Sequence, residues 1–321
     1  MIKPIDLYFK LRWLIRANRI GQRALYVPPS LWYSTFGRLT ADTVRPPALS
    51  EAKGVAMCLR FRDEARFLRE WIEYHLSAGA SKLFLYNNSS SDDFAGVIAP
   101  YQKDGSVECI DWPRTPASPH AEEDCIRRAV GRFEWVGFLD TDEFVVVKDL
   151  RSIGEFLSEF RSYPAVALHW HMFGSNGHLA RPSEPVIAAY TRRAPHPNCH
   201  VKCFVRPECA AQCRNSHSWY FRGARCAGTE TGGTVYGSLS IPPTAERAWV
   251  NHYYSKSKED YIGRMNSPAA VDRLGMLYPS RRPDRLEESM SRWNDVIDDS
   301  ALLYYQARCR MQDRPRLIFD Q

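Results

Sequence analysis

The stretch Glu134 to Val147, EWVGFLDTDEFVVV, puts the tightest limit on what this chain can become. Trp135, Val136, Phe138 and Leu139 form a short apolar run of the kind that makes a buried strand. The run stops at Asp140-Thr141-Asp142-Glu143 and the apolar pattern resumes from Phe144 to Val147. Three carboxylates in four residues repel one another, and taking even one out of water costs several kcal/mol without compensation. A divalent cation is the simplest compensation. Oxygen ligands favour a hard ion, Mg²⁺ or Mn²⁺, and Mg²⁺ commonly takes one or two carboxylates together with substrate phosphates. A solvated acidic turn is the other reading of the motif alone.

The surrounding pattern supports a buried sheet. Val55 to Leu59 reads as a strand, followed by the polar Arg60-Phe61-Arg62-Asp63-Glu64. Phe67, Leu68, Trp71, Ile72, His75 and Leu76 fall at helical spacing, with Gly79 as the stop. Lys82 to Tyr86 is a second strand, ended by Asn87 to Asp93; a helix to Tyr101 and a turn at Asp104-Gly105 lead to a third strand, Val107 to Trp112. Glu122 to Phe133 is helical again. Strands alternating with helices predict a parallel sheet covered on both faces, with ligands beyond the carboxyl ends of its strands. Those ends carry the three polar clusters. After Gly154 the texture changes: Ala165 to His171, Val201 to Val205 and Arg247 to Tyr254 read as strands, and a helical pattern returns from Lys258 and dominates Leu286 to Arg310.

At 321 residues the chain is long enough for a substantial core. Its net charge of +6 is mildly basic and falls short of a nucleic-acid signature. Nine cysteines scattered along the chain, with no secretory pattern ahead of them, predict free thiols and a cytoplasmic setting. The division expected is a basic arm over residues 1–50, a catalytic domain over 51–265 and a helical extension over 266–321. In the arm, Leu7, Phe9, Leu11, Leu14 and Ile15 alternate with Lys and Arg. That pattern suits either an amphipathic helix in peripheral contact with the inner membrane face or an arm packed on its own domain.

The ordered set of Arg62-Asp63-Glu64, Glu70 to His75, Tyr86 to Asp92, Asp140 to Phe144, Phe173 to His178 and Val250 to Ser257 resembles the family 92 and family 2-like glycosyltransferases. The resemblance covers roughly residues 53 to 265. It implies an α/β GT-A fold, a mixed sheet flanked by helices, built as a single catalytic domain. It further implies transfer of a sugar from a nucleotide-diphosphate donor to a saccharide or glycoconjugate acceptor, with inversion, assisted by Mn²⁺ or Mg²⁺. By the same resemblance Asp140, Asp142 and His252 hold the metal, while Asp63, Glu64, Asn87, Asp92, Asp124, Arg128 and Asp140 face the donor. Asp124 and Arg128 stand one helical turn apart and read equally well as a surface ion pair. Asn87 occupies a position where many family 2 enzymes carry an aspartate. Glu143 is the candidate catalytic base, with Glu230 as competitor. Gly174, Ser175, Asn176 and His217 are expected on the acceptor side, the glycines of that loop permitting a tight turn.

Two rival readings remain. One is a non-catalytic sugar or nucleotide binder on the same fold. The other is a zinc module over Cys199, Cys203, Cys209 and Cys213, whose spacing zinc tolerates.

Overall fold

Alternation along the first strand sets the layers. In β1 (Val55–Phe61), Val55, Met57, Leu59 and Phe61 enter one core and Ala56 and Cys58 the other, as the two-residue period of a strand requires. A strand that is apolar on both faces has to be covered on both. α1 (Ala65–Ser77) covers the first face with Leu68, Trp71 and Ile72. The chain continues through β2 (Ala80–Asn87), α2 (Phe94–Lys103) and β3 (Val107–Asp111). α3 (His120–Ala129) then covers the second face with Ala121, Cys125 and Ile126. β4 (Trp135–Phe138) returns to the centre of the sheet, beside β1.

The computed structural model describes residues 52–114, 118–265, 270–271, 277–278 and 283–315. The basic arm expected over residues 1–50 lies outside them. Among the described residues no helix is long and apolar enough to cross a membrane.

β1 to β4 pair in parallel, as the alternation of strands and helices predicts. The second half makes the sheet mixed. After β5 (Glu143–Val147) and α4 (Ile153–Leu157) come β6 (Ala165–Met172), α5 (Val186–Ala189) and β7 (Asn198–Val205). β7 is inserted antiparallel between β4 and β6. Antiparallel neighbours need no covering crossover helix, so helix–strand alternation could not reveal this pairing. The hairpin of β8 (Ala210–Asn215) and β9 (Ser218–Phe221) adds Cys213, Trp219 and Phe221 to the second core. β10 (Ala227–Thr229) and β11 (Thr234–Val235) close one edge, giving the order β11-β10-β6-β7-β4-β1-β2-β3. β12 (Ala248–His252) runs parallel to the end of β6 and antiparallel to β5, setting His252 opposite Glu143.

α6 (Lys258–Met265) follows. The helical pattern that dominates Leu286 to Arg310 forms two helices, α7 (Leu286–Ser291) and α8 (Ser300–Met311), separated by a segment in which Trp293 takes a positive φ of 60°. α8 places Tyr304, Tyr305 and Cys309 in the same core as β1 and β5. Its Arg308 donates to the carbonyls of Ser77 and Leu150, so this end of the chain is packed into the domain.

One glycine is dictated by close approach. A Cβ at Gly137, in central β4, would run into the Phe204 ring and the Met57 sulfur. Overpacking of this kind costs about 1–3 kcal/mol, so Gly137→Ala is expected to destabilise by that amount in urea unfolding. Gly263→Ala is expected to do the reverse. Among the described residues nothing lies within 4 Å of a Cβ there, and replacing glycine inside a helix gains about 0.5–1 kcal/mol.

Candidate functional site

The carboxyl ends of β1, β2 and β4 lie along one rim of the sheet, with Phe61 in register with Asn87 and Asn87 with Asp111. The acidic motif leaves this rim as a tight loop between β4 and β5. The Glu143 amide donates to the Asp140 carbonyl at 3.1 Å, and the Asp140 amide donates to Glu143 Oε2 at 2.9 Å. Trp71 Nε1 donates to the same Asp140 carbonyl at 3.0 Å, and the Tyr253 amide donates to the Asp142 carbonyl at 2.8 Å. The loop is therefore clamped from α1 on one side and from the end of β12 on the other.

Its charges are compensated by cations of the chain. Lys202 lies on β7 two residues from Phe204, on the same face of the strand, and is 0% exposed. Its ammonium lies 2.7 Å from Asp140 Oδ2 and 3.1 Å from Glu143 Oε2. Burial opposes the charge on Lys202, but Asp140 and Glu143 outweigh it and raise its pKa. Burial likewise works against Asp140, yet the Lys202 ammonium keeps that carboxyl below its ordinary value. Glu143 is different. Burial pushes its pKa up to about 8 even with Lys202 beside it.

On the open side, Asp142 and His252 face each other, Oδ1 to Nε2 at 3.6 Å. Arg264, from the last turn of α6, bridges Asp142 Oδ2 at 2.8 Å and Glu64 Oε1 at 2.9 Å. A cavity of about 310 Å³ opens here, lined by Arg60, Arg62, Glu64, Asp140, Asp142, His252 and Arg264 among others. A carboxylate and an imidazole converging at the mouth of a polar cavity fit a divalent cation that completes its shell with ligand oxygens. No three His, Cys, Asp or Glu side chains form a closed metal cage among the described residues.

The structure thus brings together Glu64, Asp140, Asp142 and His252 of the residues expected from sequence. Glu143 belongs to the same loop but is 0% exposed and has no surface from which to reach an acceptor hydroxyl. Glu230 is equally closed off, accepting from the Thr244 hydroxyl and the Glu246 amide. The others expected at the donor do not line the cavity. Asp63 accepts from the Ser91 amide, which holds its carboxyl below the ordinary value. Asn87 donates to Asp111 and accepts from the Ser90 amide, and Asp92 accepts from the Ala65 amide at the start of α1. These three stitch the loops around the rim. Asp124 and Arg128 pair with each other at 2.7 Å on α3 and tie it to Tyr86 and Glu108.

The acceptor-side loop is closed. Gly174 is tight against Asn294 and the Arg292 carbonyl; Ser175 donates to the Met290 carbonyl and the Asn176 amide to Asn294. The loop therefore anchors the segment after α7 rather than facing a ligand. His217 is closer to the site. Trp170 joins it to His252, with ring centres 5.2 Å and 4.3 Å away respectively, and His200 stacks on the same indole. The four thiols of the zinc alternative do not converge: Cys203 donates to the His217 carbonyl and Cys213 to the Asn215 carbonyl within the second core. All nine cysteines are free.

Lys202 and Arg264 were not among the expected residues. A lone lysine inside the apolar run Val201-Lys202-Cys203-Phe204-Val205 is a signal that could have marked the first. Nothing local marks the second, because its partners lie 122 and 200 residues away.

A profile described as glycosyltransferase family 92 matches residues 53–309. A family 92 protein of Oryza sativa subsp. japonica is 32% identical over 162 residues, covering 49% of this chain and 28% of that protein. One of Ricinus communis is 33% identical over 165 residues, covering 48% and 29%. The matches thus span under a third of the length of these relatives. Among solved structures, S. aureus TarS 1-349 is similar over 66% of this chain and 63% of its own, at 11% identity and a TM-score of 0.37.

Removing Lys202 leaves a partly exposed Asp140 and a buried Glu143 carboxyl without their donor, a loss of about 1–3 kcal/mol. Lys202→Met is therefore expected to destabilise the protein by that amount in urea unfolding followed by tryptophan fluorescence. Arg128→Met, at a partly exposed pair, is expected to cost about 1 kcal/mol or less. Equal losses at the two sites would contradict the assignment of Lys202 as the support of the motif loop.

Proposed function

The chain belongs to glycosyltransferase family 92, and from that premise we propose that it transfers a sugar from a nucleotide-diphosphate donor to a hydroxyl of a saccharide or glycoconjugate. The observation that carries this reading is the convergence of Asp140, Asp142 and His252 in one polar cavity at the carboxyl ends of the strands. Ligands of open α/β sheets bind at that edge.

The reaction breaks the bond between the anomeric carbon and the terminal phosphate oxygen and forms one to the acceptor oxygen, whose proton must leave. Its demand is electrostatic, because negative charge grows on the departing diphosphate. Asp142 and His252 would hold Mn²⁺ or Mg²⁺, which supplies Lewis-acid stabilisation of that charge. Asp140, fixed by Lys202, presents its carboxylate at the cavity in one orientation. Arg60 and Arg62 line the same cavity and add positive potential for an anionic ligand. The indole of Trp170 backs His252 and limits its rotation. An inverting course needs a base at the acceptor hydroxyl, and Glu64 is the cavity-lining carboxylate outside the motif loop.

The test is release of nucleoside diphosphate from a panel of nucleotide sugars, with a mixture of saccharide acceptors, in Mn²⁺ and after chelation. Chelation is expected to abolish release. Asp142→Asn is expected to lower kcat about 10²–10³-fold, the scale of losing one main electrostatic contact to a transition state. Release untouched by both treatments would overturn the metal-assisted reading, and binding without release would leave a non-catalytic binder.

A further inference from the structure

Arg264 holds the carboxylate that a divalent cation would need. Its Nη1 donates to Asp142 Oδ2 at 2.8 Å and its Nη2 lies 2.9 Å from Glu64 Oε1. Asp142 turns Oδ1 toward His252 and Oδ2 toward this guanidinium. A cation entering between Asp142 and His252 has to compete with Arg264 for the same negative charge.

A second buried cation stands beside this arrangement. Lys256 is 2% exposed, and among the described residues its ammonium has no hydrogen-bond partner. It rests 3.5 Å from the centre of the Phe67 ring, an attraction that offsets only part of the cost of burying a charge. Its own backbone takes a positive φ of 52°, unusual for a residue with a side chain. The residues on either side pin it there: Ser255 donates to the Ser289 carbonyl and Ser257 to Asp260. Arg264 is a like charge within its electrostatic reach, and Glu64, Asp142, Asp260 and Glu70 are opposite charges around it. Burial and then Arg264 bring the Lys256 pKa down to about 8. Two cations thus share Glu64 and Asp142, and one of them is left without a hydrogen-bonding anion.

We propose that Arg264 is a donor-binding residue that exchanges partners. It neutralises Asp142 and Glu64 while the cleft is empty, yields Asp142 to the divalent cation, and donates to the diphosphate oxygens in the loaded cleft. Lys256 remains behind as the counter-charge of Glu64. The planar fork that now spans two carboxylates suits phosphate oxygens equally well. The inference rests on the proposed use of a nucleotide-diphosphate donor with a divalent cation.

The exchange predicts effects of opposite sign from one substitution. Mn²⁺ alone is titrated into the ligand-free full chain, with free ion followed by electron paramagnetic resonance. UDP, GDP, CDP and ADP are then each titrated calorimetrically at saturating Mn²⁺. In Arg264→Gln the competing cation is gone, so Mn²⁺ is expected to bind about tenfold more tightly, the size of one charged hydrogen bond. The diphosphate that the wild type binds most tightly is expected to bind about tenfold more weakly, for the same reason. Arg264→Lys keeps the charge without the fork and is expected to move both affinities in the same directions by less; it carries the test if the glutamine variant does not fold. A purely structural Arg264 would misplace Asp142 when lost and weaken both ligands together. That result, or two unchanged affinities, overturns the exchange. A wild type that binds none of the four diphosphates overturns the transferase reading, and this inference falls with it.

Discussion

The buried ammonium of Lys202 is the contact on which the acidic loop depends. Two unit charges 2.7 Å apart attract by about 6 kcal/mol at an effective dielectric near 20, and burying the ammonium takes back several kcal/mol. The net gain in stability is small. The gain in definition is larger, because one ammonium fixes Asp140 and Glu143 at once and thereby fixes the turn between β4 and β5. That turn sets the backbone of Asp142, which Tyr253 grips from β12. A strand from the antiparallel part of the sheet thus positions a loop that belongs to the parallel part.

This accounts for what could be read in advance. Strand and helix positions in the first half follow from local periodicity, and β1 shows why: its odd and even residues enter two separate cores. The rim carrying the candidate site follows from the same pattern, since parallel strands place their polar ends together. The insertion of β7 between β4 and β6 depends on pairing between residues far apart in sequence and has no local signature. The polar clusters at the rim were legible as clusters but not as individuals. Asp63, Asn87 and Asp92 have the residue types of ligands and serve as hydrogen-bond acceptors for neighbouring loops, because short Asn and Asp side chains bond nearby backbone amides whether or not a ligand comes.

Three carboxylates within four residues do require compensation, and the chain itself supplies part of it. Asp140, Asp142 and Glu143 lie within four residues, so a divalent cation is the simplest compensator to expect from sequence, whereas Lys202 and Arg264 are distant. The fold brings those two within hydrogen-bonding distance. Their tasks differ. Lys202 is fully enclosed with Glu143 and belongs to the folded state as such. Arg264 stands at the mouth of the cavity, where its partners remain accessible to a ligand.

That difference bears on how a cleft of this kind persists without its ligand. Opposed carboxylates around an unfilled cation site would repel and widen the loop, and the reacting geometry would have to be rebuilt at each binding event. Cations borrowed from the chain hold the carboxylates in place, at the cost of competing with whatever binds there. Full neutralisation by a buried lysine would make that competition prohibitive at Asp142, whereas a guanidinium on the last turn of a helix can withdraw. Placing the enclosed cation under Asp140 and the withdrawable one at Asp142 gives the loop a rigid half and an exchangeable half. The exchangeable half faces His252, the residue with which Asp142 would share an incoming ion.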